Sequence, residues 1–217
     1  KPRVRETAKF LWIIYVGITS IEIIALRIAG METFDSICHA FTTMPTGGFS
    51  TKNASLAHYD NPMIHYIIIF FMFLAGINFS LHFHAMSGSI KTYFRDTEFL
   101  VYFLIIISIS SIIFFSLSYQ SNTFSDLTLR ESLFGTIAML TGTGYVLGDY
   151  EIWPVFLQMI LLTLMFVGGM GGSTTGGMKV IRVLLLVKYA ALETRRMLHS
   201  RALLPVKIGK QLIKEDV

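Results

Sequence analysis

The chain has 217 residues, 53% hydrophobic and 15% charged, with a formal net charge of +4. With a mean hydropathy of +0.60, this is a membrane composition and excludes an ordinary soluble domain. The single cysteine, Cys38, excludes an intrachain disulfide and a cysteine-based metal site, and reads as a small packing residue.

The basic N-terminus, Lys1 to Lys9, lacks the cleavage-site pattern of a signal peptide and reads as a cytoplasmic flank. A first span is predicted from Phe10 to Ala29, near the roughly 20 residues a crossing needs. It carries Glu22 and Arg27, which cannot both face lipid. Thr33–Met44 follows, with Thr33 and Asp35 as N-terminal caps and Pro45 as a stop; it is too short to cross and reads as a half-helix. The loop from Thr46 to Asn61 leads into a second long apolar run, Pro62–Met86, which opens on a proline suited to a helix start. That run is interrupted at Ala75-Gly76-Ile77-Asn78, a polar weak spot at mid-depth.

Lys91–Glu98 is a short charged linker and divides the chain into units 1–90 and 91–217. The second unit repeats the first: a span from Phe99 to Leu117, a half-helix from Ser125 to Leu140 with Ser125, Asp126 and Thr128 as capping candidates, a loop from Thr141 to Glu151, and a last run from Trp153-Pro154 to about Ser200. This run is broken by the glycine-rich stretch Gly168–Gly177. The tail Arg201–Val217 is polar and basic. Each unit crosses the membrane twice, so the two run in parallel rather than as an inverted pair. The Lys and Arg bias puts Lys1–Lys9, Lys91–Arg95 and Lys188–Lys214 inside, and Lys52 and Asp149 outside. The outer side also carries Glu32, Asp35, Asp60, Asp126, Glu131 and Glu151, which read either as caps and solvated loop residues or as an acidic mouth that gathers cations.

Both half-helices end on glycine loops, Thr46-Gly47-Gly48-Phe49 and Gly142-Thr143-Gly144-Tyr145. The C-terminal end of a helix carries partial negative charge. Irregular backbone at membrane depth survives only where it is buried or lines a wet cavity. Backbone carbonyls of Thr46, Gly47, Gly48, Gly142, Thr143 and Gly144 would replace the hydration shell of a bare cation, with K+ at the carbonyls of Gly47, Gly48, Thr143 and Gly144. Phe49 and Tyr145 would pack outward and hold the loops. Gly76, Asn78 and Ser80 mark a candidate gate in the second run; an ordinary packing glycine is the plainer reading.

Gly168–Lys179 is not a phosphate loop, because Met178 separates Gly177 from Lys179, and it holds no Gly-x-Ser-x-Gly, because residue 175 is Thr. It reads as a helix that bends or approaches its neighbours through small residues. Lys179 and Arg182, spaced i, i+3, are either charges facing a cavity or anchors at the cytoplasmic headgroups. The histidines show no metal-ligand spacing.

Thr42-Thr43-Met44-Pro45-Thr46-Gly47-Gly48-Phe49-Ser50-Thr51, Gly76-Ile77-Asn78-Phe79-Ser80-Leu81-His82-Phe83 and the stretch from Gly168 to Arg182 together resemble the Trk/Ktr/HKT potassium-uptake superfamily, with the bacterial TrkH-type subunit as the particular likeness. The resemblance covers essentially the whole chain. It implies an all-α membrane fold with two span, pore-helix, filter-loop, span repeats, the third and fourth of four around one pore. By resemblance, Gly48 and Gly144 are filter glycines, Ala75–Ser80 is an intramembrane gating segment, and Arg182, rather than Lys179, is the basic residue facing the pore below the filter. It also implies potassium uptake with no enzymatic step, no cofactor and no nucleic acid. The partners implied are membrane lipid, the two remaining repeats, a second copy in a homodimer and a cytosolic nucleotide-binding regulator. Two repeats supply half a filter, so the chain is expected to be a piece of a longer protein in a bacterial inner membrane. Alternatives are an ion-coupled secondary transporter and a non-conducting assembly fragment.

Overall fold

The computed structural model of the chain describes residues 2–86, 88–198, 207–208 and 211–212. Among the described residues, two helices are long and apolar enough to cross a membrane: α1 (Pro2–Ile28), through its segment Ala8–Ile28, and α6 (Thr97–Ser121). Each exposes large apolar side chains to the surroundings, Trp12, Ile21 and Ile24 on α1 and Phe103, Leu104 and Phe115 on α6, as lipid-facing helices do. The expected first span starts earlier than predicted, because the basic flank continues the same helix. His199 and most of the basic tail Arg201–Val217 lie outside the described residues, apart from a two-residue antiparallel pair, β1 (Lys207–Ile208) with β2 (Gln211–Leu212).

The half-helices form where expected, α2 (Thr33–Thr43) and α7 (Asp126–Thr141). Their caps differ. The Ser125 side chain caps α7 by accepting from the Thr128 amide at 3.1 Å, a bond typically worth about 1 kcal/mol. Glu32 occupies the cap position of α2 with no side-chain bond. Neither Thr33 nor Asp35 caps α2, because both lie inside the helix and the Asp35 carboxylate has stronger partners, described below. α3 (Pro62–Ala75) starts on Pro62 with Asn61 accepting from the Met63 amide at 3.0 Å, the arrangement that a proline at the first helical position allows.

α7 lies among α3, α6 and α8 (Val155–Val167), and every residue from Phe134 to Thr141 is buried. A helix buried all round inside the bundle can carry its C-terminal end to mid-depth without meeting lipid. α2 packs on α1 and α3. The interval between the units folds as the short helix α5 (Lys91–Arg95) and the first turn of α6.

Both second crossings are broken. α3 stops at Ala75, and α4 (Phe79–Met86) departs at 100° to it. α8 stops at Val167, and α9 (Val180–Leu198) begins after the glycine-rich stretch. The α3 break turns around Tyr102 of α6, which is fully buried, stacked on Phe73 at 5.6 Å and donating to the Phe73 carbonyl at 3.3 Å. A Cβ on Gly76 would lie 2.1 Å from the Tyr102 hydroxyl. Gly76→Ala is therefore expected to destabilise the protein by about 1–3 kcal/mol, with Tyr102→Phe in the same chain recovering part of the loss by removing the nearest clashing atom. Thermal unfolding of the detergent-solubilised variants checks this; an alanine variant as stable as the parent would contradict the packing.

Candidate functional site

The two glycine loops fold by one rule: amides turn inward and carbonyls are left over. The amides of Gly47 and Gly48 both donate to the Thr42 carbonyl, at 2.8 and 3.1 Å, and that of Thr46 to Thr43 at 2.9 Å. In the second unit Gly142 donates to Met139 at 3.2 Å and Gly144 to Ala138 at 3.1 Å. These bonds satisfy carbonyls that a helix end leaves orphaned. Among the described residues, no hydrogen bond reaches the carbonyls of Thr46, Gly47, Gly48, Gly142, Thr143 or Gly144.

The loops touch. A Cβ on Gly48 would fall 1.6 Å from the Thr143 carbonyl oxygen, and the backbone there has φ +70°, a conformation that side chains resist. Only glycine admits this approach. Gly47, Gly142 and Gly144 are exposed, and Gly142 and Gly144 have open space where a side chain would point. Tyr145 locks the loops together. Its fully buried hydroxyl donates to the His39 carbonyl at 3.1 Å and shares protons with the hydroxyls of Thr42 at 2.6 Å and Thr43 at 3.3 Å. Phe49 does not match Tyr145 in this respect: it is 77% exposed. Further out, the amides of Leu56 and Ala57 bond the Val146 carbonyl, and the Val146 amide bonds Ser55.

Several outer acids have internal partners. The Asp35 carboxylate accepts from Thr51 at 2.7 Å and Tyr59 at 2.8 Å, and pairs with Lys52 at 3.1 Å. Burial alone would raise its pKa, but these three partners hold it down at about 2. Asp126 accepts from Tyr66 at 2.5 Å and Arg130 at 2.8 Å, and Arg130 reaches His65 at 2.7 Å. These groups pin the N-terminal ends of the half-helices, while Glu32, Asp60, Asp149 and Glu151 are further exposed acids of the side expected to face outward.

The broken spans meet below the loops. The Met170 amide donates to the Gly76 carbonyl at 2.9 Å, and the Phe79 amide to Gly172 at 3.1 Å. The Thr174 hydroxyl reaches the Met44 carbonyl at 2.7 Å and the Ala75 carbonyl at 3.1 Å, and Thr46 donates to the Thr174 carbonyl at 3.4 Å. Asn78 accepts from the Ser80 amide at 2.8 Å, while Ser80 itself is exposed. The candidate gate residues Gly76 and Asn78 thus lie against the glycine-rich stretch. Lys179 precedes α9 in a left-handed conformation, φ +37°. Its ammonium folds back on the Thr175 carbonyl and hydroxyl and on Ser173. It does not share a helix face with Arg182, which lies exposed in the first turn of α9.

Three contributors escaped the sequence reading. Glu98 accepts from the amides of Gly171 at 2.7 Å and Ile181 at 3.0 Å, so it ties the start of α6 to the glycine stretch and to α9. His82 bonds the Leu74 carbonyl at 3.1 Å and Tyr93 at 2.7 Å, and Tyr102 fills the bend. An acid in the charged interval between the units and a histidine in an apolar helix carry no local signal of such long-range partners. Among the described residues no cluster of His, Cys, Asp or Glu could hold a metal ion.

The TrkH family, described as "Cation transport protein", matches residues 1–217. The chain is 40% identical over 222 residues to the Trk system potassium uptake protein TrkH of Escherichia coli K12, covering 100% of this chain and 45% of that protein. It is 35% identical over 219 residues to TrkG of the same organism, with the same two coverages. The crystal structure of the potassium transporter TrkH from Vibrio parahaemolyticus superposes with a TM-score of 0.92 at 38% identity, covering 98% of this chain and 46% of that one. The chain spans about half the length of the curated relatives it matches. These relatives are transport proteins rather than enzymes, and together with the apolar helices they make the chain a multi-pass, predominantly helical membrane protein that belongs to the TrkH family of cation transport proteins.

Proposed function

We propose that this chain supplies two of the loop-bearing walls of a potassium path, unit 1–90 and unit 91–217, each presenting one glycine loop. The observation that carries this reading is the set of loop carbonyls, Thr46 to Gly48 and Gly142 to Gly144, that accept no hydrogen bond among the described residues and sit at the C-terminal ends of the two half-helices. Such ends are partially negative, and oxygens with open lone pairs are what a dehydrated cation requires. K+ is the cargo, held by the carbonyls of Gly47, Gly48, Thr143 and Gly144, and no cofactor takes part. Below the loops, Gly76, Asn78 and Ser80 form the gate with Lys179 and Arg182. The working assembly adds the remaining pore repeats, a second copy of the protein and a cytosolic nucleotide-binding regulator. The family match and potassium-uptake relatives support the choice of ion.

Gly48 and Gly144 predict different mutant phenotypes. Gly144→Ser strains a φ of +74° but meets open space, so it is expected to change the K+/Na+ uptake ratio at least tenfold while protein level is kept. Gly48→Ser drives a side chain into the Thr143 carbonyl and is expected to lower the amount of folded protein as well. Radiotracer uptake normalised to immunoblotted protein separates the two; unchanged selectivity in Gly144→Ser would sink the filter assignment.

Arg182 acts as a barrier charge. Two unit charges about 8 Å apart repel by roughly 2 kcal/mol at an effective dielectric near 20, enough to slow flux more than tenfold. Arg182→Ala is expected to raise basal K+ flux by that order in proteoliposomes. Lys179→Ala, which removes the ties to Thr175 and Ser173, is expected to lower thermal stability with a smaller gain in flux. Flux unmoved by Arg182→Ala would contradict the barrier.

A further inference from the structure

Glu22 is an anomaly inside α1. It is fully buried, neither of its carboxylate oxygens has a hydrogen-bond partner among the described residues, and it takes part in no described ion pair. It sits beside Thr43, in the last turn of the first half-helix. The Thr43 hydroxyl proton is already committed to the His39 carbonyl at 2.8 Å, so Thr43 can offer Glu22 an acceptor but not a donor. Tyr145, which follows the second loop directly, lies within electrostatic reach of Glu22 and is hydrogen-bonded to Thr42 and Thr43. Glu22 therefore stands behind the junction of both glycine loops.

Its other surroundings are simple. Tyr15 is the titratable neighbour on its own helix. The titratable groups of α2 are Asp35, Cys38 and His39: Asp35 is held by Thr51, Tyr59 and Lys52, and both His39 ring nitrogens are occupied, by the Asp35 carbonyl at 2.7 Å and the Ser50 hydroxyl at 2.9 Å. α3 and α4 meet α1 through Phe71, Ala75 and Phe79. An unpaired carboxylate charge buried in such a site is strongly disfavoured, and only a proton or a nearby cation can compensate it. A cation held at the loops would be that compensation.

We propose that Glu22 is the counter-charge of the filter cation: a proton-bearing carboxyl while the loops are empty, a carboxylate while they hold the ion. Entry of the cation releases one proton from Glu22 to the water of the outer mouth, and departure of the cation takes one back. In the neutral state the carboxyl proton is donated to the Thr43 oxygen. Glu22 touches no loop carbonyl; it sets how tightly the loops hold their ion. The proposal rests on the reading of the loops as a cation filter.

The test is Rb+ flux into proteoliposomes of the intact protein as a function of Rb+ concentration and pH, for wild type and Glu22→Gln. The glutamine keeps the shape and removes the ionisable charge. The expected result is a half-saturating Rb+ concentration raised about tenfold at alkaline pH, the effect of one unit charge at about 10 Å and an effective dielectric near 20, and raised less at neutral pH, where release of the carboxyl proton offsets part of the attraction, with maximal flux changed far less. The wild-type half-saturation should rise on acidification, as protons displace the counter-charge, and that of the variant should stay flat. Equal half-saturation and equal pH dependence in both proteins would overturn the proposal; if Gly144→Ser still alters selectivity, the filter reading survives. Absence of any saturable Rb+ flux in wild type would defeat the filter reading and the proposal together. Should Glu22→Gln fail to fold, the wild type decides alone. An infrared difference spectrum, K+-loaded minus K+-free, should show loss of a protonated-carboxyl C=O stretch, and a spectrum with no carboxyl change would overturn the proposal.

Discussion

Backbone polar groups at membrane depth must find partners inside the protein, and two broken helices in one chain multiply that demand. The fold meets it by letting the breaks serve each other. The carbonyls of Ala75 and Gly76, freed where α3 stops, are taken by Thr174 and Met170. The Phe79 amide, at the start of α4, finds Gly172. The glycine-rich stretch is therefore less a hinge than the complement of the α3 break. It approaches so closely that a Cβ on Gly169 would sit 2.8 Å from the Gly76 carbonyl and one on Gly172 2.9 Å from Asn78. Opening of the proposed gate would have to exchange these reciprocal bonds for others, since leaving a buried backbone group without a partner costs about 1–3 kcal/mol.

The same demand shapes the loops above. The amides of Thr46, Gly47, Gly48, Gly142 and Gly144 bond the last carbonyls of α2 and α7, so the polar surplus left on the loops is mainly carbonyl oxygen. Thr174 connects the two levels, bonding Met44 at the end of the first half-helix and Ala75 at the break. Any shift of the glycine stretch is thus felt at the base of the first loop. Glu98 and His82 extend the connection toward the interval between the units, where α5 lies.

The sequence made the half-helices, the loop positions, the interruption at Gly76–Asn78 and the glycine break legible, because each is written in local terms: short apolar runs, caps, prolines and glycine clusters. Partners distant in the chain were not. Tyr145 and Phe49 look alike in sequence, yet one is buried against α2 and the other is 77% exposed, a difference set by which neighbouring element lies beside each loop. Asp35 looked like a cap and instead holds Thr51, Tyr59 and Lys52, since a carboxylate with three donors is better satisfied than one at a helix start. Lys179 looked like the helical neighbour of Arg182, but its positive φ puts it before the helix, a backbone choice that periodicity does not encode.

In the proposed filter the loop carbonyls of both units hold a dehydrated monovalent cation. Anomalous scattering from crystals of the intact protein grown with Tl+ in place of K+ tests it directly. A Tl+ peak is expected within coordination distance of carbonyls from both Gly47–Gly48 and Thr143–Gly144. A well-ordered structure in which Tl+ appears elsewhere in the membrane region and not between these loops would contradict it.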